Sequence, residues 1–266
     1  MKKVFAALAA GVMASAMALS LAACAEPEKS VVERAEEMAS ERIGSREAWE
    51  AAFADPTLGA TDTSYTFNNA NYSIESESIS TIGGNLGGGS RLNISSRVTR
   101  ELTVAGDKLH FAQRTEMSGD TSEDSTQING KEEYYALDES RYEYYYKDAN
   151  GAWKMETRSK LGISLIETSA YTGTLTSYAD SYEMFTWSDA RMGYYLPVTI
   201  KGLLDVTVNA TLTLKFREGK IAAMLISDAA VDPDAATDGL LLTDIAASVQ
   251  VGVIVTYGGR TVSLPL

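Results

Sequence analysis

Alternation of apolar and polar residues with a period of two is the feature that most constrains how this chain can fold. It starts at Tyr65/Phe67 and recurs along most of the remaining sequence. Further runs are Tyr72/Ile74, Leu92/Ile94, Leu102/Val104, Leu109/Phe111, Tyr142/Tyr144/Tyr146, Trp153/Met155, Val206/Val208, Leu212/Leu214/Phe216 and Val251/Val253/Val255. Because every second side chain of a strand lies on the same face, these runs predict β-strands with one buried face.

Short turns that contain glycine separate pairs of these runs. They are VAGDKLHF, KDANGAWKM, FREGKIAAM and YGGRTVSL. Turns of this length join antiparallel neighbours, so each one predicts a hairpin. The sequence therefore predicts an antiparallel meander, and the irregular spacing of the turns argues against an internal sequence repeat.

The N-terminal part has helical composition instead. Residues 28–54 predict a helix over 28–42, an interruption at Ile43-Gly44, and a second helix, SREAWEAAF, with Ser45 as its N-cap. Trp49 and Phe53 are four residues apart and share one face of that second helix, which we expect to pack on the sheet.

Two further segments interrupt the alternation. Residues 161–185 carry Leu175, Tyr178, Tyr182 and Phe185 at helical spacing, which predicts a helix over 174–185 that crosses one face or one end of the sheet. Residues 228–245 predict a long connection, loop-like at first and helical near its end.

The first residues have the layout of an export signal. Lys2 and Lys3 precede an apolar run from Val4 to Ala23, as in a secretory signal peptide. The run is also about long enough to span a bilayer, so an uncleaved membrane helix is the alternative. Leu21-Ala22-Ala23-Cys24 favours the cleaved form, because it resembles the lipobox of bacterial lipoproteins.

The lipobox resemblance implies that a diacylglyceryl group is attached to the sulfur of Cys24 and that the chain is cut just before it. Cys24 is the only cysteine, so lipidation consumes the thiol and leaves no disulfide. Two or more acyl chains anchor a protein stably. We therefore expect an exported protein held on the outer face of the cell membrane. Residues 24–266 would form one domain, whose part 24–55 is helical.

Charge limits the partners. Residues 1–23 contain two lysines and no acid, so their removal changes the formal charge from −13 to −15. Such a surface is repelled by nucleic acid and by anionic headgroups. We expect no nucleic-acid partner, and we expect the lipid, not electrostatics, to hold the protein at the membrane.

The chain contains few of the residue types that common catalytic mechanisms require. His110 is the only histidine, and alternation places it on the polar face of its strand, so we predict a surface histidine without a catalytic role. An enzyme that uses only carboxylates stays an open alternative. TIGGNLGGGSR lacks the lysine of a phosphate-binding loop and predicts a loop between strands. Asp232, Asp234 and Asp238 do not match a calcium loop, so we expect neither metal nor cofactor.

Aromatic residues are concentrated in KEEYYALDESRYEYYYKDANGAWKM. Tyrosine favours strands and tolerates a half-wet site, so packing on the sheet is the first interpretation. The functional interpretation is the wall of a pocket for an apolar or amphipathic ligand, covered by the 161–185 segment. The candidate wall consists of Tyr134, Tyr144, Tyr146, Trp153, Tyr178, Tyr182 and Phe185.

The combined pattern resembles the LolA/LppX-like lipoproteins. It consists of a lipobox, an N-terminal helix and a long meander that is interrupted by helices and closes on YGGRTVSLPL. REAWEAAF and FREGKIAAM are similar to segments of lipoproteins of this kind from Gram-positive bacteria. The resemblance implies an α+β fold, a strongly curved antiparallel β-sheet or half-barrel with an N-terminal helix and inserted helices on its concave side.

The same resemblance implies a function, since members of the group carry lipids or lipoprotein acyl chains between sheet and helices. It provides no invariant ligand residues to transfer. We expect a non-catalytic lipoprotein that binds or carries a lipid-like ligand. The alternative is a cell-envelope module with a filled core that binds a protein partner.

Overall fold

The computed structural model of the protein describes residues 29–53, 71–86, 89–119, 127–138, 141–159, 182–201, 206–232 and 242–265. The predicted signal peptide, Cys24, the strand predicted at Tyr65/Phe67 and most of the 161–185 segment lie outside these ranges. None of the described helices is both long and apolar enough to span a membrane.

The described strands form one antiparallel sheet. They are β1 (Asn71–Leu86), β2 (Arg91–Ala105), β3 (Lys108–Gly119), β4 (Gln127–Asp138), β5 (Arg141–Lys147), β6 (Trp153–Ser159), β7 (Thr186–Ser188), β8 (Gly193–Lys201), β9 (Thr207–Arg217), β10 (Lys220–Val231) and β11 (Leu242–Tyr257). Their order in the sheet is β6-β5-β4-β3-β2-β1-β11-β10-β9-β8-β7. The predicted antiparallel sheet is confirmed, and its extent is consistent with a curved sheet.

Two meanders make up this order. Strands β1–β6 follow one another, and so do β7–β11, while β11 returns to pair with β1. β1 and β11 are the longest strands, with 16 residues each, and they join the two meanders in the middle of the sheet. Within the ranges that the structure describes, β6 and β7 lie at opposite ends of the order and do not pair with each other.

Three of the four predicted hairpins are present, between β2 and β3, β5 and β6, and β9 and β10. The fourth, YGGRTVSL, is wrong, because β11 ends at Tyr257 and the described residues after it, 258–265, form no strand. Gly258 and Gly259 both have positive φ, 76° and 66°. The Gly258 N–H donates to the Asn71 carbonyl at 2.7 Å, so this segment closes against the start of β1.

Two other expectations also change. TIGGNLGGGSR was expected to be a loop, but its first part, as far as Leu86, belongs to β1. Asn85 still pairs with both neighbouring strands, β2 and β11. The connection predicted over 228–245 is shorter, since β10 continues to Val231 and β11 begins at Leu242. The helix expected near its end is wrong, because Leu242 pairs with Leu86 in the sheet.

The N-terminal segment forms two short helices, α1 (Val31–Glu37) and α2 (Arg46–Phe53). Ser45 caps α2, as predicted, with its Oγ accepting the Ala48 N–H at 3.2 Å. The first helix does not continue to residue 42 as expected. The residues that follow Glu37 pack against β9 instead. The Glu41 N–H donates to the Phe216 carbonyl at 2.9 Å, and the Phe216 N–H donates to Ser40 Oγ at 2.9 Å.

The two helices pack on opposite faces of the sheet. We call the face under α2 the core face, because Trp49 and Ala52 join the largest apolar cluster there. The buried members of this cluster on the sheet include Ile74, Leu102, Leu109, Tyr135, Leu212, Leu214, Phe216, Met224, Ile226, Val253 and Val255. We call the other face the α1 face, where Val32 and Ala35 pack on Ala223, Leu225 and Ile254.

Buried charges of the sheet hold both ends of α1. The carboxylate of Glu77 (β1) accepts the Val32 N–H at 3.1 Å, and Lys215 Nζ (β9) donates to the carbonyls of Glu36 and Met38. The signs match the helix dipole, with the anion at the N-terminus and the cation at the C-terminus. Lys215 is 1 % exposed, and its burial lowers its pKa.

Candidate functional site

An open cleft with a volume of about 530 Å³ lies on β3, β4 and β5. Its lining is polar and aromatic, with alanine as the only aliphatic side chain. The residues are Ala112, Gln113, Gly130, Lys131, Glu132, Glu133, Tyr144, Tyr146 and Lys147. The cleft therefore offers hydrogen-bonding groups and ring faces to a ligand, but no aliphatic wall.

Glu133 is the centre of the hydrogen bonds in this cleft. It is 4 % exposed, and its carboxylate accepts the hydroxyls of Tyr135 at 3.1 Å and Tyr144 at 2.5 Å. Lys131 Nζ lies 2.9 Å from Glu133 Oε2. A buried carboxylate is costly unless it is paired and hydrogen-bonded, and these three donors satisfy that requirement.

The same arrangement raises the pKa values of the two tyrosines. Burial is the main cause for both Tyr135 and Tyr144, and the charge and hydrogen bond of Glu133 add to it. Both hydroxyls therefore stay protonated donors at neutral pH. Tyr135 and Tyr144 also contact each other through their rings, with centroids 5.0 Å apart.

Tyr146 extends the aromatic surface towards solvent. Its ring stacks on Tyr144 with centroids 5.1 Å apart and an interplanar angle of 16°, and its hydroxyl donates to Glu156 at 2.8 Å. The guanidinium carbon of Arg158 lies 3.8 Å from the Tyr144 ring centroid. This stack presents a ring face and a charged rim at the mouth of the cleft.

A second aromatic group lies on the α1 face of β3, β4 and β6. Tyr134 contacts His110, with centroids 4.5 Å apart, and Trp153, with centroids 5.3 Å apart. Lys147 Nζ lies 4.8 Å from the Trp153 centroid and donates to Glu132 at 2.6 Å. His110 is on the predicted face, but its side chain is only 17 % exposed, because Tyr134 packs against it.

The structure divides the predicted pocket wall between the two faces. In the register of β4 and β5, Tyr135 pairs with Tyr144, and Tyr134 pairs with Tyr145. Tyr144 and Tyr146 therefore lie on the core face, whereas Tyr134 and Trp153 lie on the α1 face. These two pairs cannot line one pocket.

Phe185 is on the core face but away from the cleft. It is buried and stacks on Trp49, with centroids 6.0 Å apart. Tyr182 begins a short 3-10 helix, Tyr182–Met184, and its side chain is outside the description. Tyr178 and Cys24 also lie outside the described residues, so the lipidation of Cys24 stays a prediction.

Sequence reasoning missed the charged and amide members of the cleft, which are Gln113, Lys131, Glu132, Glu133 and Lys147. Glu133 could have been identified from the sequence. It lies two residues before Tyr135 in KEEYYALD, so both side chains lie on the same, buried face of the strand. A charge at a buried strand position requires partners, which is how this residue could have been found.

The other motifs contribute no further site. The Asp232 N–H donates to the Thr207 carbonyl at 3.0 Å, and Asp234 and Asp238 lie outside the described residues. Within the part of the chain that the structure describes, no group of three or more His, Cys, Asp or Glu side chains is arranged to hold a metal ion.

Comparisons with known proteins give little further information. No protein-family model and no curated protein matches the chain. A crystal structure of a β-barrel-like protein of a domain of unknown function from Brucella abortus covers 70 % of this chain and 98 % of its own, with 8 % identity and a TM-score of 0.24. A domain described as an outer membrane lipoprotein-sorting protein domain from Vibrio parahaemolyticus covers 77 % and 90 %, with 9 % identity and a TM-score of 0.13. TM-scores this low do not establish a shared fold.

Proposed function

We propose that this protein is a non-catalytic lipoprotein, anchored on the outer face of the cell membrane through Cys24, that binds an amphipathic ligand in the cleft of β3–β5. The observation that carries the proposal is the open cleft of about 530 Å³ at the margin of the apolar core. Its polar centre is already organised by Glu133, which accepts two tyrosine hydroxyls.

The composition of the cleft selects the kind of ligand. A purely apolar ligand would leave Gln113, Lys131 and Glu133 against hydrocarbon, which is unfavourable for polar groups. A ligand with a polar head and an apolar body would meet both the hydrogen-bonding groups and the ring of Tyr146. The lipid-like ligand inferred from the LolA/LppX resemblance is therefore narrowed to an amphiphile.

The LolA/LppX-type arrangement is part of this proposal. It is supported by the single antiparallel sheet and by α2, which covers the core face through Trp49 and Ala52. In this arrangement a ligand would lie between the sheet and the segments that cover the core face.

Native mass spectrometry of the mature protein tests the ligand directly. We expect co-purifying lipid, and we expect the delipidated protein to gain thermal stability with increasing lipid concentration. Protein that purifies without ligand and shows no thermal shift with any amphiphile would contradict the proposal.

Two aromatic residues on opposite faces provide a matched pair of variants. Tyr146→Ala should weaken amphiphile binding about fivefold, because an aromatic ring contact of this kind contributes about 1 kcal/mol. Trp153→Ala removes a ring from the α1 face and should leave binding unchanged. Equal losses in both variants would show that the cleft is not the site.

Anchoring has its own test. Metabolic labelling with a fatty-acid probe should mark the protein, and Cys24→Ser should abolish the label and release the protein from membranes. A labelled Cys24→Ser variant, or a mature N-terminus elsewhere than Cys24, would contradict the lipoprotein assignment.

The second candidate is an envelope module that binds a protein partner. It is favoured by large apolar side chains on the surface, since Ile128 is 57 % and Met155 is 48 % exposed. Exposed apolar residues of this kind occur at interaction surfaces. Ile128→Ser combined with Met155→Ser would then reduce partner binding without affecting the uptake of amphiphiles.

A further inference from the structure

β6 lies at one end of the sheet and pairs through only one of its two edges. It pairs with β5 along all seven of its residues, without a register shift. Among the described residues no strand lies on its other side, which we call the outer edge. β6 also contains no proline and no bulge, two of the devices that keep an exposed edge from pairing with another chain.

The hairpin between β5 and β6 determines which backbone groups face the outer edge. The Asp148 N–H donates to the Ala152 carbonyl at 2.9 Å, so these two residues are opposite each other in a hydrogen-bonded pair. Such pairs alternate with non-hydrogen-bonded pairs along antiparallel strands. Counting from Ala152, the backbone groups of every second residue are therefore directed to β5. The groups directed to the outer edge belong to Trp153, Met155 and Thr157.

The side chains of β6 differ between the two faces. Met155 is 48 % exposed and lies on the α1 face, because it pairs with Tyr145, which pairs in turn with a residue of that face. The side chains on the core face alternate in charge and are exposed. They are Lys154, Glu156 and Arg158. An alternating row of this kind can form ion pairs with an antiparallel copy of itself.

We propose that the outer edge of β6 pairs antiparallel with the same edge of a second copy of this chain, about a two-fold axis at Met155. The two Met155 residues are then directly opposite each other, and Trp153 is opposite the partner's Thr157. Lys154 is opposite the partner's Glu156. Because a two-fold interface repeats every contact, this ion pair forms twice.

Charge and apolar contact together select this register. A two-fold axis at Lys154 or at Glu156 would place identical charges directly opposite each other, which is destabilising. An axis at Thr157 would place Met155 opposite the partner's Ser159 and would lose the contact between the two methionines. Only the axis at Met155 combines opposite charges on the core face with an apolar contact on the α1 face.

The symmetry of this pairing is compatible with two chains on one membrane. The two-fold axis of an antiparallel strand pair is perpendicular to the sheet, so the α1 faces of both copies lie on the same side. α1 lies on that face in each copy, and the proposed anchor at Cys24 precedes α1 in the sequence. Both anchors are therefore joined to the same side of the dimer.

The size of the contact determines its strength. One pair of seven-residue strands buries less surface than the about 1,200 Å² at which stable interfaces begin. We therefore expect a reversible dimer. Attachment of both copies to a membrane increases its population, because it raises their effective concentration.

Cysteine cross-linking tests the register. The full-length chain is expressed with Met155→Cys, and its membranes are oxidised with copper phenanthroline. Directly opposite residues of a hydrogen-bonded pair have Cα atoms about 5.5 Å apart, a usual distance in disulfides. We therefore expect a disulfide-linked dimer. The unsubstituted chain, whose only cysteine is Cys24, gives the background.

Thr157→Cys is the matched control. Thr157 is exposed on the same edge and the same face of β6 as Met155, but each Thr157 is opposite the partner's Trp153. The two Thr157 residues are thus about 13 Å apart, four residues along the strand. We expect at least about tenfold less disulfide-linked dimer than with Met155→Cys.

Charge reversal tests the ion pairs through a second measurement, the co-purification of two differently tagged full-length copies. Lys154→Glu in both copies sets acids opposite acids, and Glu156→Lys in both copies sets lysines opposite lysines. Each should reduce co-purification at least about fivefold. A copy with Lys154→Glu beside a copy with Glu156→Lys restores both ion pairs, so this mixture should co-purify as the unsubstituted chains do.

Each contrary result overturns the proposal. Equal cross-linking through positions 155 and 157 would reflect random collision, and cross-linking through position 157 alone would show another register. An absence of cross-linking above the background at both positions would show that the edge does not pair. Failure of the mixed copies to recover co-purification would exclude the ion pairs. The amphiphile binding proposed for the cleft is tested separately and does not depend on these outcomes.

Discussion

The two halves of the core face differ in what they bury. On β8–β11 the buried members of the cluster are aliphatic apart from Phe216 and Met224, and half-buried Tyr194 and Tyr257 pack at its margin; the aliphatic members include Leu196, Val198, Leu212, Leu214, Ile226, Val253 and Val255. On β3–β5 the buried or half-buried positions also include Gln113, Glu133, Tyr135, Tyr144 and Tyr146. The first half stabilises the fold through packing, and the second retains polar groups that packing alone does not require.

The helices follow the same division. α2 places Trp49 against Phe216, with centroids 5.0 Å apart, and against Tyr194, with centroids 4.7 Å apart. α1 packs on β11, β1 and β10. The two described helices therefore cover the aliphatic half and the central seam, where β1 pairs with β11, and neither of them lies over the cleft on β3–β5. Close apolar packing and the proposed binding site therefore occupy separate parts of one sheet.

The largest expected effect is a loss of stability from the aliphatic half. Phe216→Ala removes a fully buried ring that packs on Trp49, and it should lower the free energy of unfolding by about 3–5 kcal/mol. Tyr146→Ala, in the cleft, should cost about 1 kcal/mol. Urea denaturation monitored by circular dichroism measures both, and similar losses would contradict the division.

The contact of α1 with the central seam predicts the next effect. A Cβ at Gly252 would lie 2.6 Å from Val32 Cα, so Gly252→Ala should displace α1 and cost about 1–3 kcal/mol. Gly130→Ala is the control on β4, because the nearest atom to its added Cβ is 4.0 Å away. It should be neutral, and hydrogen exchange should show α1 destabilised only in the first variant.

A loss of stability at high pH is expected from the tyrosines of β4 and β5. The pKa of Tyr145 is raised to about 12, first by its hydrogen bond to Glu143 and then by burial. Because the folded-state pKa is above the unfolded value of about 10, this stabilisation is complete below pH ~10 and is lost as the pH rises towards 12. Tyr135 and Tyr144 shift in the same direction.

Thermal unfolding at pH 9 and pH 11 measures this effect. The triple variant with phenylalanine at positions 135, 144 and 145 should lose much of the decline between these values. Ionisation of these tyrosines followed by ultraviolet absorbance should be displaced above that of free tyrosine. A stability that is constant between pH 9 and 11 would contradict the raised pKa values.

The smallest effect is expected on the α1 face. The pKa of Glu132 is lowered, chiefly by the hydrogen bond from Lys147. A lowered pKa in the folded state gives stabilisation that is present above the unfolded value and lost as the pH falls through the folded value. Lys147→Met should raise the Glu132 pKa, which nuclear magnetic resonance can follow, and change the stability at pH 7 only slightly.

Much of this sheet could be predicted from local pattern alone. The alternation at Leu212/Leu214/Phe216 and Val251/Val253/Val255 marks buried faces that the structure confirms. Ser45 was predictable as an N-cap because a cap depends only on neighbours three residues away. The fourth hairpin was not, because Gly258 closes against Asn71, which is remote in sequence.

The division of the tyrosines depended on register. KEEYY and YEYYY contain consecutive tyrosines, so alternation assigns one of each pair to either face. Only the pairing of Asp138 with Arg141 sets Tyr135 opposite Tyr144 and places Tyr134 on the other side. The buried charges Glu77 and Lys215 were likewise unpredictable, since each is explained by contacts with α1, which is remote in sequence.

The central seam of the sheet has a consequence for when the molecule can fold. β1 has β11 as one neighbour, about 170 residues later in the chain, and α1 packs on β11 as well. Such non-local pairing is slow to form, because a long loop must close first. The middle of the sheet therefore cannot assemble before the last strand has been synthesised, whatever has already formed in the two meanders.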